Sequence, residues 1–253
     1  MTDPNRGEPA PARPAPDFDA AGLARDLLRA IRAGALATLE AETGHPFVTL
    51  VNVATDHDGS PILLLSRLAA HTLHLERDPR ASILLAETGK GDPLAHPRLT
   101  AIGRAERDPD PRLRDRFLSR HPKSALYAGF ADFAFWRLTV ERAHLNGGFA
   151  RAATLRAGDL LTDVAGAEEL LATEQEELQR LAGERPDAPA LLATALAGAS
   201  QGPWIASGLD PDGLDLMAGE RTARVRFSER VSSPTALRAA LDELIRQARA
   251  AGT

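Results

Sequence analysis

Between residues 35 and 143 the chain repeats one device: a short run of β-branched and large apolar side chains, then a turn or a single helix. The runs are ALATLE (35–40), FVTLVNVAT (47–55), ILLLS (62–66), ASILLAE (81–87), RLTAIGRAER (98–107) and FAFWRLTVERA (133–143). Each has the length of a strand, and the DHDGSP turn (56–61) joins the second to the third as a meander. Six such strands with few helices predict a closed barrel, because closure removes the unpaired backbone rows at the edges of an antiparallel sheet.

Three helices punctuate the strands. The first starts at Asp19, places Leu23, Leu27 and Ile31 at helical spacing, and is expected to stop at Gly34. The second is AAHTLHLER (69–77), ended by Asp78-Pro79, and the third lies near 111–120. From about residue 163 the composition shifts to Ala, Leu, Glu and Gln, with helical patterns at 166–182 and 188–199. Strands at 203–209, 214–218 and 223–228 follow, with a turn at Asp210-Pro211-Asp212-Gly213. A closing helix from Ser233 has a hydroxyl cap, Pro234 in its first turn and Leu237, Leu241 and Leu244 on one face. Prolines at 4, 9, 11, 14 and 16 exclude helix or central strand from the first segment. The expected organisation is a Pro-rich tail (1–17), a barrel domain (18–162) and a small α/β domain (163–253), in a mainly β, α+β protein.

With no cysteine, the chain has no disulfide, thiolate metal site or cysteine nucleophile. Its net charge is −5 and its basic residues are interspersed with acids, so the footprint of a nucleic-acid binder is missing. The N-terminus lacks the apolar core of a secretory signal, and no stretch approaches a membrane span, which makes the cytoplasm the expected location.

The chemistry concentrates in LLLSRLAAHTLHLERDPRASILL (63–85), where a strand runs into a helix. Ser66, Arg67, His71 and Thr72 stand at that junction, where unpaired amides and the helix dipole favour an anion. On spacing alone the plainer alternative is that Ser66 caps the helix and the other three face solvent. His57 lies in the Asp56-His57-Asp58 turn and reads as a solvated turn residue. His71 and His74 are one helical turn apart but lack a third metal ligand, and the Asp210 turn lacks the acidic positions of a calcium loop. No glycine cluster forms a dinucleotide fingerprint or phosphate loop, and no G-x-S-x-G elbow is present. His121, Tyr127 and His144 are open to either a structural or a site role.

The run from Ala35 to about Leu155 resembles the flavin-binding split-barrel superfamily of pyridoxamine 5'-phosphate oxidases. The resemblance rests on ALATLE with Gly44 and Pro46 downstream, the S-R-L-A-x-H-T segment and D-P-R-A-S (78–82). Within it, GDPLAHPRLTAIG (91–103), RHPKSALYAGFADFAFWRL (120–138) and AHLNGGFARAATL (143–155) are most similar to the HugZ-like heme-utilisation group. The resemblance implies a six-stranded split barrel that dimerises, with FMN between subunits and a small-molecule substrate. It assigns Ser66, Arg67, His71 and Thr72 to the phosphate, Thr49 to Val53 with Asn52 to the ring edge, and Arg98 and Trp136 to the partner's share. Pyridoxamine-phosphate oxidases commonly carry lysine where His71 stands, so the affinity is expected to depend on pH. Heme is the second cofactor the resemblance allows. The N-x-x-H stretch found in relatives' tail domains reads GERPDAPALLATA (183–195) here, without histidine. A flavin-dependent oxidoreductase, a heme-binding or heme-degrading protein and a non-catalytic dimeric adaptor are the three functions to separate.

Overall fold

Asp19 opens the first helix, α1 (Ala20–Ala30), by accepting the Gly22 amide at 2.7 Å on its carboxylate. A cap of this kind is worth about 1 kcal/mol. The computed structural model describes residues 18–148 and 151–251. The Pro-rich tail and two residues of the GGFARA run lie outside the described residues. Helix α1 ends before the expected stop, and Gly34 belongs to the next strand, β1 (Ala33–Leu39). Glycine is required there by a close neighbour, since a Cβ would sit 2.9 Å from the Leu84 carbonyl oxygen.

The chain continues through β2 (Pro46–Asn52), β3 (Ala54–Thr55), β4 (Pro61–Ser66), α2 (Ala70–Arg77), β5 (Arg80–Ala86), β6 (Arg98–Arg107), α3 (Pro111–Arg120), β7 (Phe133–Asn146) and β8 (Ala152–Arg156). The strands form one antiparallel sheet in the order β2-β1-β5-β6-β7-β4-β3, with β8 added on β7. It holds eight strands among the described residues rather than the expected six, because the 47–55 run breaks at Val53 and β8 is additional. The terminal strands β2 and β3 are separated in the chain by Val53 alone, so the sheet must curl until its ends approach each other. They are not hydrogen-bonded neighbours, so the barrel is split there rather than closed throughout. A bulge between Ile102 and Gly103 sharpens the curl, and a Cβ on Gly103 would sit 1.9 Å from the Thr139 carbonyl oxygen. Leu36, Ile83, Leu85, Leu99, Leu138 and Leu145 fill the interior, each contributing about 1.5–3 kcal/mol by leaving water.

After α4 (Ala157–Leu160) the C-terminal α/β domain comprises α5 (Glu168–Ala172), α6 (Glu174–Glu184), α7 (Ala188–Ala195), β9 (Ile205–Asp210), β10 (Gly213–Ala218), β11 (Arg221–Arg226) and α8 (Pro234–Ala251). Its sheet runs β11-β10-β9, and Leu170, Leu192, Leu214, Leu216 and Leu237 belong to a second apolar core that shares no residue with the first. The Ser233 hydroxyl accepts the Ala236 amide at 3.2 Å, as its predicted role at the start of α8 requires. Among the described residues no helix is long and apolar enough to cross a membrane.

Polar groups join the two layers. His57, expected in solvent, is 2% exposed, and its Nε2 lies 2.9 Å from Glu174 of α6. Turn chemistry is local and gave no sign that a helix 117 residues later in the chain would cover the turn. Arg116 of α3 donates to the same glutamate, to the Thr55 carbonyl and to the Leu209 carbonyl.

Candidate functional site

Strand β2 alternates Val48, Leu50 and Asn52, which are exposed, with Phe47, Thr49 and Val51, which are more enclosed. Helix α2 lies against the enclosed side. Thr49 Oγ1 is hydrogen-bonded to His71 Nδ1 at 2.9 Å, and Thr38 Oγ1 of β1 to His74 Nδ1 at 3.0 Å. Burial, and then the neighbouring His74, lower the His71 pKa below the ordinary histidine value. At neutral pH its imidazole is therefore an uncharged group whose Nδ1 is committed to a hydroxyl.

At the strand-to-helix junction Ser66 Oγ donates to Asp132 at 2.7 Å and accepts the Leu68 amide at 3.2 Å. Ser66 is thus committed to neighbours and does not cap α2, whose N-cap residue Ala69 supplies no side-chain acceptor. The first-turn amides of Ala70 and His71 have no intrahelical acceptor. The Arg67 side chain is exposed, while the Thr72 hydroxyl is buried without a hydrogen-bond partner. These are the features of an anion site with one opposing charge, Asp132, beside it. Asp132 lies 66 residues from Ser66, and nothing in the local sequence announces it.

The second part of the site is the seam at Val53. The Val53 amide donates to the Arg32 carbonyl at 2.8 Å, and its carbonyl oxygen lies 2.8 Å from His121 Nε2. Beside the seam is a cavity of about 480 Å³, with Arg32, Asn52, His121, Lys123 and Tyr127 in its wall and Gly219 and Glu220 reaching in from the C-terminal domain. Arg32 donates to the carbonyls of Arg120 and Gly219, and Arg120 to those of Arg29 and Ala30. Neither guanidinium makes an ion pair among the described residues, and the Nε of each is buried without a partner. Burial lowers the Arg120 pKa to about 10. Burial, with Arg32 and Arg120 adding to it, holds His121 at about 4 against the pull of the Val53 carbonyl. The seam is therefore electropositive, with a neutral histidine and a Tyr127–Ser124 hydroxyl pair at 2.8 Å in its wall. Sequence reasoning singled out His121 and Tyr127 but missed Arg32 and Arg120.

The remaining two residues lie apart from this arrangement. Arg98, half-buried at the start of β6, donates to the carbonyls of Leu94 and His96. Trp136 is 2% exposed, belongs to the barrel core and has Arg107 over its ring at 5.4 Å. Among the described residues no group of three His, Cys, Asp or Glu side chains is placed to hold a metal ion.

Residues 22–147 match the family profile described as pyridoxamine 5'-phosphate oxidase. The chain belongs to this oxidase-related family. The match takes in every site residue named above except those of the C-terminal domain. A protein of unknown function from Agrobacterium tumefaciens is similar across both parts, with TM-score 0.80 and 39% identity over 92% of this chain and 100% of its own. A heme binding protein from Mycobacterium smegmatis superposes with TM-score 0.54 at 29% identity, over 93% of this chain and 100% of that one. A chloroplastic non-canonical heme oxygenase of Arabidopsis thaliana is 36% identical over 135 residues, 51% of this chain. This oxidase-related chain spans only 40% of that plant protein.

Proposed function

We propose that the protein binds FMN along β2 and the start of α2 and uses it to oxidise or reduce a small organic anion. The observation that carries this reading is the alignment of two anion-receptive places on one strand. Thr49 touches the α2 site and Asn52 lines the seam cavity. Three residues of strand separate them by about 10 Å and put them on opposite faces of the terminal strand β2, so a ligand with a phosphate at one end and a ring at the other would reach both by passing round the strand edge.

Arg67 and the amides of Ala70 and His71 would hold the phosphate, with the buried Thr72 hydroxyl supplying a further polar group. Ser66 reaches it only by giving up Asp132. Bound FMN supplies hydride or electron transfer at its ring. Thr49 and His71 fix the strand edge, and Asn52 presents an amide beside the seam. Arg32 would orient the anionic end of the substrate, whereas Lys123 already faces Glu220 at 3.9 Å in the same wall.

The reading includes a homodimer. Outward-facing Leu50, Ala35 and Leu84 stand in register across β2, β1 and β5. Leu50 is 79% and Val48 60% exposed, so this apolar face is suited to being covered by a second copy.

A second reading, heme binding, is favoured by two relatives named for heme and by His71. A neutral imidazole whose Nδ1 is held by Thr49 has Nε2 left for an axial bond. The absorbance spectrum of freshly purified protein, followed by hemin titration in the same cuvette, separates the two. Bound flavin that leaves with denaturation supports the first reading. Colourless protein that takes up stoichiometric heme with a Soret band replaces it with the second.

A further inference from the structure

Between α1 and the outer strand β11 of the C-terminal sheet lie two adjoining cavities of about 370 and 450 Å³ that share Asp26, Arg29, Arg224 and Arg226. Both volumes fall in the range of small-molecule sites. Their other walls differ in chemistry. The first adds mainly polar groups, Arg25, Thr162, Asp212, Ser228, Glu229 and Arg230, with Phe227 among them. The second adds the apolar surfaces of Ala30, Leu196, Ala223, Val225 and Leu244, with Gln247 as its one further polar group.

Charge accounting identifies what the first compartment can take. Arg29 and Arg224 are paired with Asp210, at 2.8 Å each, and Arg224 also with Asp215 at 2.7 Å. Arg226 is paired with Asp26. That leaves Arg25, bonded to the Asp159 carbonyl, and Arg230, bonded to the carbonyls of Asp163 and Ala165. Neither makes an ion pair among the described residues. It also leaves two carboxylates, Asp212, whose side chain accepts one hydrogen bond, from the Thr162 hydroxyl at 2.8 Å, and exposed Glu229. A guanidinium has five donors and a carboxylate about four acceptor sites, so both signs retain unused capacity. The balance does not suit a bare anion or a bare cation. It suits a ligand carrying one of each.

We propose that this groove binds a zwitterion with an apolar body, the chemical class of an apolar α-amino acid. The carboxylate meets Arg25 and Arg230, the ammonium meets Asp212 and Glu229, and the side chain enters the second compartment between Leu196, Val225 and Leu244. Such a ligand touches both the barrel helix α1 and the C-terminal domain, so it stabilises their contact. The groove shares no lining residue with the seam cavity, although Arg120 at the seam donates to the Arg29 and Ala30 carbonyls of the groove, and flavin content is read separately from leucine binding.

The test is calorimetric titration of the full-length protein with L-leucine. Two probes of the same skeleton serve as controls: 4-methylpentanoate lacks the ammonium and 3-methylbutylamine lacks the carboxylate. Leucine is expected to bind at least roughly tenfold more tightly than either control. Arg230→Ala, a change at an exposed position, is expected to weaken leucine by a similar factor, while a far-ultraviolet spectrum like that of wild type shows that the fold is retained. Asp212→Asn is expected to abolish the preference over 4-methylpentanoate. Equal binding of leucine and 4-methylpentanoate, no saturable heat with leucine, or an affinity unchanged in Arg230→Ala overturns the proposal.

Discussion

His57 of the β3–β4 turn and Glu174 of α6 meet at 2.9 Å, each almost fully enclosed, where the barrel and the C-terminal domain join. The same carboxylate accepts from Arg116 and from the Leu209 amide at 2.8 Å. One acid thus satisfies a turn, a helix and a strand edge, and burying it is tolerable only because all of them are present. Although burial opposes ionisation, Arg116 and His57 hold Glu174 at about 2, below the ordinary glutamate value of 4.5.

The sign of the acid response follows. A carboxyl whose folded pKa lies below its unfolded one contributes stability that is complete above the unfolded value and fades as pH falls through the folded one. The window for Glu174 runs from 4.5 down to about 2. Glu174→Gln leaves Arg116 buried without its anion and is expected to cost about 3–5 kcal/mol at neutral pH. Chemical denaturation across this pH window checks both points, since the variant's loss relative to wild type must shrink as the solution is acidified.

Arg67 and Asp132 act in opposite directions on an anion at the start of α2. Arg67→Ala is expected to weaken FMN by about tenfold to a hundredfold, the size of a charge-assisted bond. Asp132→Asn removes the opposing charge, frees Ser66 and is expected to strengthen FMN. Flavin fluorescence quenching at fixed salt measures both, and a loss of affinity in Asp132→Asn would exclude a phosphate beside Ser66.

The His71 imidazole is depressed by burial and by His74, so it is uncharged at neutral pH and gains its proton only on acidification. FMN affinity is therefore expected to rise as pH falls below 6.5, with little change between neutral and alkaline solution. His71→Lys carries its charge throughout and is expected to flatten this profile, as read by equilibrium dialysis at several pH values.

Leu50→Glu places a charge in the middle of the exposed apolar face and is expected to convert a dimer into monomers. Light scattering on the eluting peak reads the mass directly. A far-ultraviolet spectrum like that of wild type shows that the barrel itself is retained, because Leu50 is outside the core.

Strand and helix positions were legible wherever the signal is local. The alternation in RLTAIGRAER gives β6 over its full length, and Asp110 before Pro111 marks the start of α3. Ser66, Arg67, His71 and Thr72 drew notice as candidates because a strand-to-helix junction carries its own chemistry. Asp132 and Arg32 escaped notice because their importance comes from neighbours far away in the chain. His57 was misread for the same reason, since a turn composition that favours water does not record a helix that covers it. Gly34 was read as a helix stop when the constraint came from β5 across the sheet.

Val53 carries a consequence of another kind. The circumference of the barrel is limited there by a covalent link, since one residue spans the distance between the last position of β2 and the first of β3. Hydrogen bonds along the sheet can lengthen or slip, but the two residue steps from Asn52 to Ala54 reach no further than about 7 Å. An inserted glycine beside Val53 would lengthen that tether without altering any cavity side chain. The separation of the sheet's two terminal strands is limited by the count of backbone atoms at this point.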